Sequence, residues 1–356
     1  TENSQGRFWS PAFDGATNPL PPTCLPETNP RDAQAEPVYR RCLLKLADPA
    51  IRHKSFFREF DVENKRFVND GLDVDLTSTF TFDVRWLDAD TIVTVAHTDG
   101  SEDSLTKTPG TKMPAVVGLK RRNQEIQPLY KISRDSLFMN IDVVRFENKN
   151  LVLVIEHILQ TRHRYAVVDP QTRQSTTFKL PEFLEYQGYF NGLVLVLPSE
   201  NWMGANAGSL VGISMQQLLA GGSVSEIKVL WTPEPRFPGS PHNRNLFDHV
   251  NTTRDAIYLS VLDNVQGKLL RLREVSGEWV SDEVILSGAK SEVQGQIMIS
   301  GMMAGISPTP GLNSANDGLL VTYNDYLSPS SSYLVQGNQA RMVKQDKPDF
   351  DASTVV

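Results

Sequence analysis

Asn150-Leu-Val-Leu-Val-Ile155 is a short run of valine, leucine and isoleucine closed in front by an asparagine. A run of this length, rich in β-branched residues and bounded by a turn former, reads as a buried strand and is too short for an ordinary helix. The same pattern appears on both sides of it. Asp90-Thr-Ile-Val-Thr-Val-Ala96 precedes it, and Gly192-Leu-Val-Leu-Val-Leu197, Asp255-Ala-Ile-Tyr-Leu-Ser-Val-Leu262 and Asp317-Gly-Leu-Leu-Val-Thr-Tyr323 follow. Helical periodicity is nearly absent. The clear exception is Ser214-Met-Gln-Gln-Leu-Leu-Ala220, a short turn of helix stopped by Gly221-Gly222.

Between the runs lie hairpin signatures. Asp61 to Val68, Val168 to Phe178 and Leu272 to Val280 each read as strand, Asp/Asn/Gly turn, strand. Anchor strands start near Leu43, Ile92, Leu151, Leu193, Ile257 and Leu319, about 42 to 64 residues apart, which suits blades of four strands. The pattern implies an all-β protein of the β-propeller class with six visible blades over residues 38–348. A solenoid fits less well, because the repeats vary in length and lack a strict Gly or Leu ladder. Residues 1–37 are rich in Pro, Asn and Thr and read as an irregular segment or a degraded first blade. Pro233 to Pro241 is Pro-rich enough for a linker but has the length of an inter-blade loop, and no domain boundary stands out.

Composition excludes several functions. The net charge of −7 and pI near 5.5 argue against a nucleic-acid partner. The one dense basic run, Lys120-Arg121-Arg122, reads as a solvated hairpin turn. No apolar run is long enough to span a membrane. The two cysteines, Cys24 and Cys42, are read as unpaired, with a disulfide as the lesser alternative. The chain begins with Thr, so a leader or upstream domain removed from it leaves no trace, and the compartment stays open between cytoplasm and periplasm.

Several segments, in order, resemble a known family. They are Phe57-Arg-Glu-Phe-Asp-Val-Glu-Asn-Lys-Arg-Phe-Val68, Val84-Arg-Trp-Leu-Asp-Ala-Asp-Thr-Ile92 with Ser104-Leu-Thr106, and Gly208-Ser-Leu-Val-Gly-Ile213 with Leu218-Leu-Ala-Gly-Gly222. Val261-Leu-Asp-Asn-Val-Gln-Gly-Lys-Leu-Leu270 and Tyr326-Leu-Ser-Pro-Ser330 complete the series. Together they resemble the propeller domain of the prolyl oligopeptidase family of serine peptidases, its bacterial members in particular. The resemblance covers roughly residues 38 to 353. It implies seven blades, the first within residues 1–37. It also implies that Phe350-Asp-Ala-Ser353 opens the linker, residues 349–356, to a peptidase domain. Family members cut short peptides after proline with a Ser, Asp and His on an α/β-hydrolase domain.

The chemistry of that domain is not visible in these residues. A nucleophile elbow needs G-x-S-x-G, which holds the serine exposed beside an oxyanion hole. Gly212-Ile-Ser-Met-Gln216 and Gly305-Ile-Ser-Pro-Thr309 lack the second glycine, and Pro308 has no N–H to offer. His157 and His163 with Glu156 could touch a metal, but a turn between them favours a wet hairpin tip. His242 and His249, near Arg244 and Asp248, could serve acid–base work but have no nucleophile nearby. His53 and His97 read as lone loop residues. Asp99-Gly-Ser-Glu-Asp103 does not have the spacing of a calcium loop and reads as a turn. Asn251-Thr-Thr253 is a formal glycosylation sequon, and Trp202 reads as packed against its own blade. No catalytic or metal residue, no substrate-binding residue and no cofactor is therefore assigned.

The reading is a non-catalytic propeller that gates access of short peptides to an α/β-hydrolase domain not in these residues, which would be its partner in the same chain. The alternative is a stand-alone propeller that binds proteins or peptides. A propeller glycosidase or lyase would need paired carboxylates at the channel mouth, which nothing in the sequence indicates.

Overall fold

The protein is described by a computed structural model. It describes residues 10–11, 23–27, 38–47, 55–76, 84–97, 115–133, 135–159, 161–236, 240, 243–263, 266–286, 295–299, 307–308, 318–325 and 329–347. The motifs at His53, Asp99 to Asp103, Ser104 to Thr106, His242, Tyr326 to Ser328 and Phe350 to Ser353 lie outside the described residues.

The architecture is an all-β propeller with six sheets among the described residues. The first sheet has the order β24-β2-β3-β4-β5, from Ser307–Pro308, Thr23–Glu27, Val38–Ala47, Ser55–Asp61 and Arg66–Phe67. On it β1 (Ser10–Pro11) pairs with β3, and β6 (Asp73–Leu76) with β4. The other five are four-stranded antiparallel meanders. The second runs β7 (Val84–Asp88), β8 (Thr91–His97), β9 (Ala115–Arg121), β10 (Gln127–Lys131), and the third β11 (Phe138–Phe146), β12 (Lys149–Leu159), β13 (Arg162–Val168), β14 (Ser175–Thr177). The fourth runs β15 (Leu184–Phe190), β16 (Leu193–Pro198), β17 (Leu210–Ser214), β18 (Lys228–Trp231). The fifth runs β19 (Asn245–Thr252), β20 (Ile257–Asp263), β21 (Gln266–Val275), β22 (Glu278–Val284). The sixth runs β23 (Gly295–Ile299), β25 (Gly318–Asp325), β26 (Ser331–Gln336), β27 (Gln339–Gln345). The single described helix, α1 (Met215–Leu219), follows β17 where the sequence predicts it, and Gly221 ends it at φ +71°.

Each of the six anchor residues falls in a different sheet, on an interior strand. Their runs are continuous rather than alternating because both faces of an interior strand are covered. In β20, Ile257, Leu259 and Val261 pack with the fourth sheet's Leu195 and Leu210, while Tyr258 between them packs with Val321 and Tyr333 of the sixth. In β8, Ile92 joins Leu43 and Trp86, and its neighbour Val93 joins Ile141 and Val152. Burying each such side chain is worth about 2 kcal/mol. The predicted hairpins form. Asp61 pairs with Arg66, and the Asp61 carboxylate accepts from the Asn64 side chain and backbone N–H, which hold it below the usual carboxylate range. Val168 pairs with Ser175, and Val275 with Glu278 across Ser276-Gly277, whose φ values of +53° and +87° match the twist of the strands.

The described residues fall into two compact units, a division the sequence does not signal. One holds the first three sheets and the other the last three. The physical basis is that each hydrophobic cluster joins consecutive sheets within one unit. Residues around Pro233–Pro235 connect the fourth and fifth sheets inside the second unit. They are stitched down by Arg244 N–H to Glu234 O (2.7 Å) and Glu234 N–H to Asn245 Oδ1 (2.7 Å), so this stretch is an inter-blade loop.

Three expectations need correction. The described strands before residue 38 build no sheet of their own. β1 and β2 both pair with β3, so the described residues form six sheets and show no seventh. The same pairing sets Cys24 directly opposite Cys42 with 3.9 Å between their Cα atoms, and the two form a disulfide. Sequence spacing could not reveal that cross-strand register. Third, Lys120-Arg121-Arg122 is no freely solvated turn. Arg122 donates to both oxygens of the buried Glu59 carboxylate (2.9 and 3.3 Å), to Asp90 (3.1 Å) and to the carbonyls of Asp70 and Ala89. Glu59 also accepts from Leu72 N–H at 2.8 Å, and Arg41 stands 3.8 Å from it. The carboxylate of one sheet is thus neutralised by the guanidinium of the next. The indole N–H of buried Trp86 makes a second link between them, donating to Thr23 O (3.0 Å).

Two outcomes follow for stability. In the denatured, unreduced protein no thiol should react with an alkylating reagent. Replacing Cys24 and Cys42 by serine should cost about 3 kcal/mol, the chain-entropy value for a loop of this length. Two titratable thiols would show the bond does not form. Arg122→Ala should cost about 3 kcal/mol in denaturant unfolding, because it strands a buried carboxylate with only Arg41 nearby. Arg121→Ala, at an exposed position, should change stability by less than about 0.5 kcal/mol.

Candidate functional site

Ser214 closes β17 immediately before α1, so it stands at a strand-to-helix junction, as an elbow serine would. The junction is nevertheless built for packing. The Met215 N–H, the position that would complete an oxyanion hole, donates to Gly192 O at 2.8 Å. Gly212 lies where β16 crowds the strand, and a Cβ there would meet Leu193 Cδ1 at 3.1 Å. Ser307 sits in β24, paired in parallel with Thr23 of β2, and is followed by Pro308.

The Glu156 region differs from the expected wet tip. The last pair of the β12–β13 ladder is Leu159 with Arg162, and His157 and His163 are direct cross-strand partners inside that ladder. Phe138 stacks on His157 (ring centroids 4.1 Å), and His163 meets His157 edge-on (4.7 Å) and is buried. A residue pair flanking a tight hairpin keeps one face when the turn is short, which is why the intervening turn does not separate them. Strand alternation turns Glu156 to the opposite face, away from both histidines. There its buried carboxylate accepts from Tyr130 Oη (2.7 Å), Ser136 Oγ (2.6 Å) and Ser133 N–H (3.3 Å). Burial, with the Glu156 carboxylate, pushes the Tyr130 phenol far above its ordinary range. The cluster ties β10 and the link before β11 to β12. No group of three or more His, Cys, Asp or Glu is placed to hold a metal among the described residues.

In the second unit, His249 Nδ1 lies 3.4 Å from Asp248 Oδ1, and the buried Ser260 hydroxyl donates to Asp248 Oδ2 at 2.9 Å. Serine activation needs the imidazole between the hydroxyl and the acid. Here the acid stands between the other two, so the arrangement cannot withdraw the serine proton through histidine. Arg244 does not join it. Arg244 forms a two-point ion pair with Asp263 (2.9 and 3.2 Å), to which Lys268 also donates (2.9 Å). The Lys268 ammonium, with Arg244, holds the Asp263 carboxyl below its usual range.

A polar cavity of about 280 Å³ opens beside Glu59, lined by Arg58, Asp70, Asp73 and Asn123. Its lining contains no nucleophile, and the Glu59 oxygens are already committed to Arg122 and Leu72. The sequon is not a surface loop. Asn251 pairs with Tyr258 in the β19–β20 ladder, and Thr252 and Thr253 are buried. Trp202 is half-buried in the β16–β17 connection, held by reciprocal backbone hydrogen bonds with Ala205 (2.9 Å each). The residues that sequence reasoning missed, Glu59, Arg122 and Tyr130, serve inter-strand and inter-sheet joints. The available signal was Glu59 set between Phe57 and Phe60 in β4.

No family model matches the chain. It is 23% identical over 328 residues to RP174, an uncharacterized peptidase of Rickettsia prowazekii (strain Madrid E), covering 86% of this chain and 41% of that protein. Its fold matches a post-proline cleaving enzyme from Rickettsia typhi with a TM-score of 0.67 and 18% identity, over 88% of this chain and 44% of the enzyme. It also matches oligopeptidase B from Leishmania major with a TM-score of 0.62 and 10% identity, over 98% of this chain and 43% of that one. The chain thus spans less than half the length of these relatives. Among the described residues no helix is long and apolar enough to cross a membrane. In sequence and in fold, this chain resembles the propeller part of prolyl oligopeptidase family peptidases.

Proposed function

We propose that this chain is the non-catalytic propeller of a prolyl-oligopeptidase-like serine peptidase. Its role would be to restrict entry to the active site of an α/β-hydrolase domain encoded outside residues 1–356, so that only short peptides arrive. The observation that carries the reading is the asymmetric coverage: 88% of this chain corresponds to 44% of a post-proline cleaving enzyme. The all-β architecture supports it, since a nucleophile elbow of the hydrolase type needs strands alternating with helices and the one described helix has five residues.

In this reading residues 38–348 are the propeller, residues 1–37 a leading segment stapled to it, and residues 349–356 the opening of the linker. Sheets packed face to face, with a buried ion pair joining the first two, suit a size filter, because a filter must keep its dimensions while substrates pass. The Cys24–Cys42 bridge favours an oxidising compartment over a glutathione-reduced cytosol.

Residues 1–356 alone should release no chromophore from a chromogenic Gly-Pro peptide, whereas the full-length product of the same gene should release it. Hydrolysis above buffer by residues 1–356, purified free of host peptidases, would contradict the proposal.

A further inference from the structure

One strand of the first sheet comes from far along the chain. β24 pairs in parallel with β2, with Ser307 opposite Thr23 and Pro308 opposite Cys24. Both partners fall in the first unit. Yet the chain enters β24 from β23 and leaves it toward β25, and those two strands belong to the sixth sheet and the second unit. β23 and β25 are direct neighbours, with Ile299 opposite Val321, so a few residues would suffice to join them. The chain spends residues 300–317 on that connection instead and lays part of it on another sheet.

The strand that receives β24 is fixed from outside at both of the paired residues. The Thr23 carbonyl accepts from the indole N–H of buried Trp86, on the second sheet, at 3.0 Å. Cys24 is tied to Cys42 of β3 by the disulfide. Cys24 thus carries a covalent staple on one edge of β2 and a visiting strand on the other. Leu25, the next residue, is buried with Leu43 and Trp86. β2 has five residues, and a strand this short paired along one edge only would leave a row of open backbone groups on the other. Pro308 has no N–H to give to a ladder, which suits an added edge strand that ends after two pairs.

Consecutive sheets, from the first to the sixth, are joined directly by the chain. The sixth and the first are not. We propose that β24 is a clasp: the connection between the first two strands of the sixth sheet is hydrogen-bonded onto the first sheet, and the disulfide holds β2 in the register that receives it. The clasp supplies through backbone pairing the one tie between successive sheets that chain continuity does not supply. It is a device of the propeller itself and stands whether or not a peptidase domain follows.

Photo-crosslinking tests it. The full-length gene product carrying p-benzoylphenylalanine in place of Ser307 should, on irradiation, join residue 307 to the peptide that holds Thr23–Glu27. Capture confined to peptides of the sixth sheet would overturn the inference. With Cys24→Ser and Cys42→Ser added, capture of β2 should fall at least about fivefold, because a strand without its tether meets its partner at a lower effective concentration. The same probe in place of Arg66, which pairs with Asp61, should still capture β4 in the serine variant. Unchanged capture from residue 307 would overturn the part given to the disulfide. Loss of capture from residue 66 as well would show that the bond holds the whole sheet rather than the receiving strand, and would overturn that part too.

Discussion

The structure depends on the burial of both faces of each interior strand. A sheet of four strands cannot hide its apolar surface alone, so each sheet uses its neighbours. Alternate residues of β20 enter two different clusters, Ile257 and Leu259 toward the fourth sheet and Tyr258 toward the sixth. The polar joints follow from this packing. Glu59 and Glu156 are carboxylates trapped where sheets or strands close over them, and each is satisfied by donors on a neighbouring element. Removing one donor leaves a buried charge, so these joints enforce register as well as adding stability.

That constraint decides what can be read from sequence. Strands buried on both faces leave continuous Val, Leu and Ile runs, so Asn150 to Ile155 announced the fold and the six anchors each marked a sheet. The tight turn within Leu272 to Val280 was equally legible, because Ser276-Gly277 needs positive φ that few residues tolerate. Pairings between segments far apart were not. Cys24 meets Cys42 only because β2 lies beside β3 in one register, and Arg122 reaches Glu59 across 63 positions of sequence. Residues 1–37 read as an irregular segment or a degraded first blade, and nothing in their composition says that β2 joins β3.

The site candidates failed for a related reason. His157, His163 and Glu156 are close in sequence, yet strand alternation puts the acid on one face and the imidazoles on the other. Asp248, His249 and Ser260 meet in space, but in an order that activates nothing. Ser214 has the right junction, with its neighbour's N–H already given to Gly192. Among the described residues, Glu59, Arg122 and Glu156 hold sheets and strands together.

The central proposal is that the nucleophile serving this propeller lies outside residues 1–356, in the same gene product. Labelling the full-length product with a fluorophosphonate, which reacts with activated serines, and mapping the modified peptide tests it directly. The account predicts a single labelled serine outside residues 1–356. A label on Ser214, Ser260 or any other serine within these residues would contradict it.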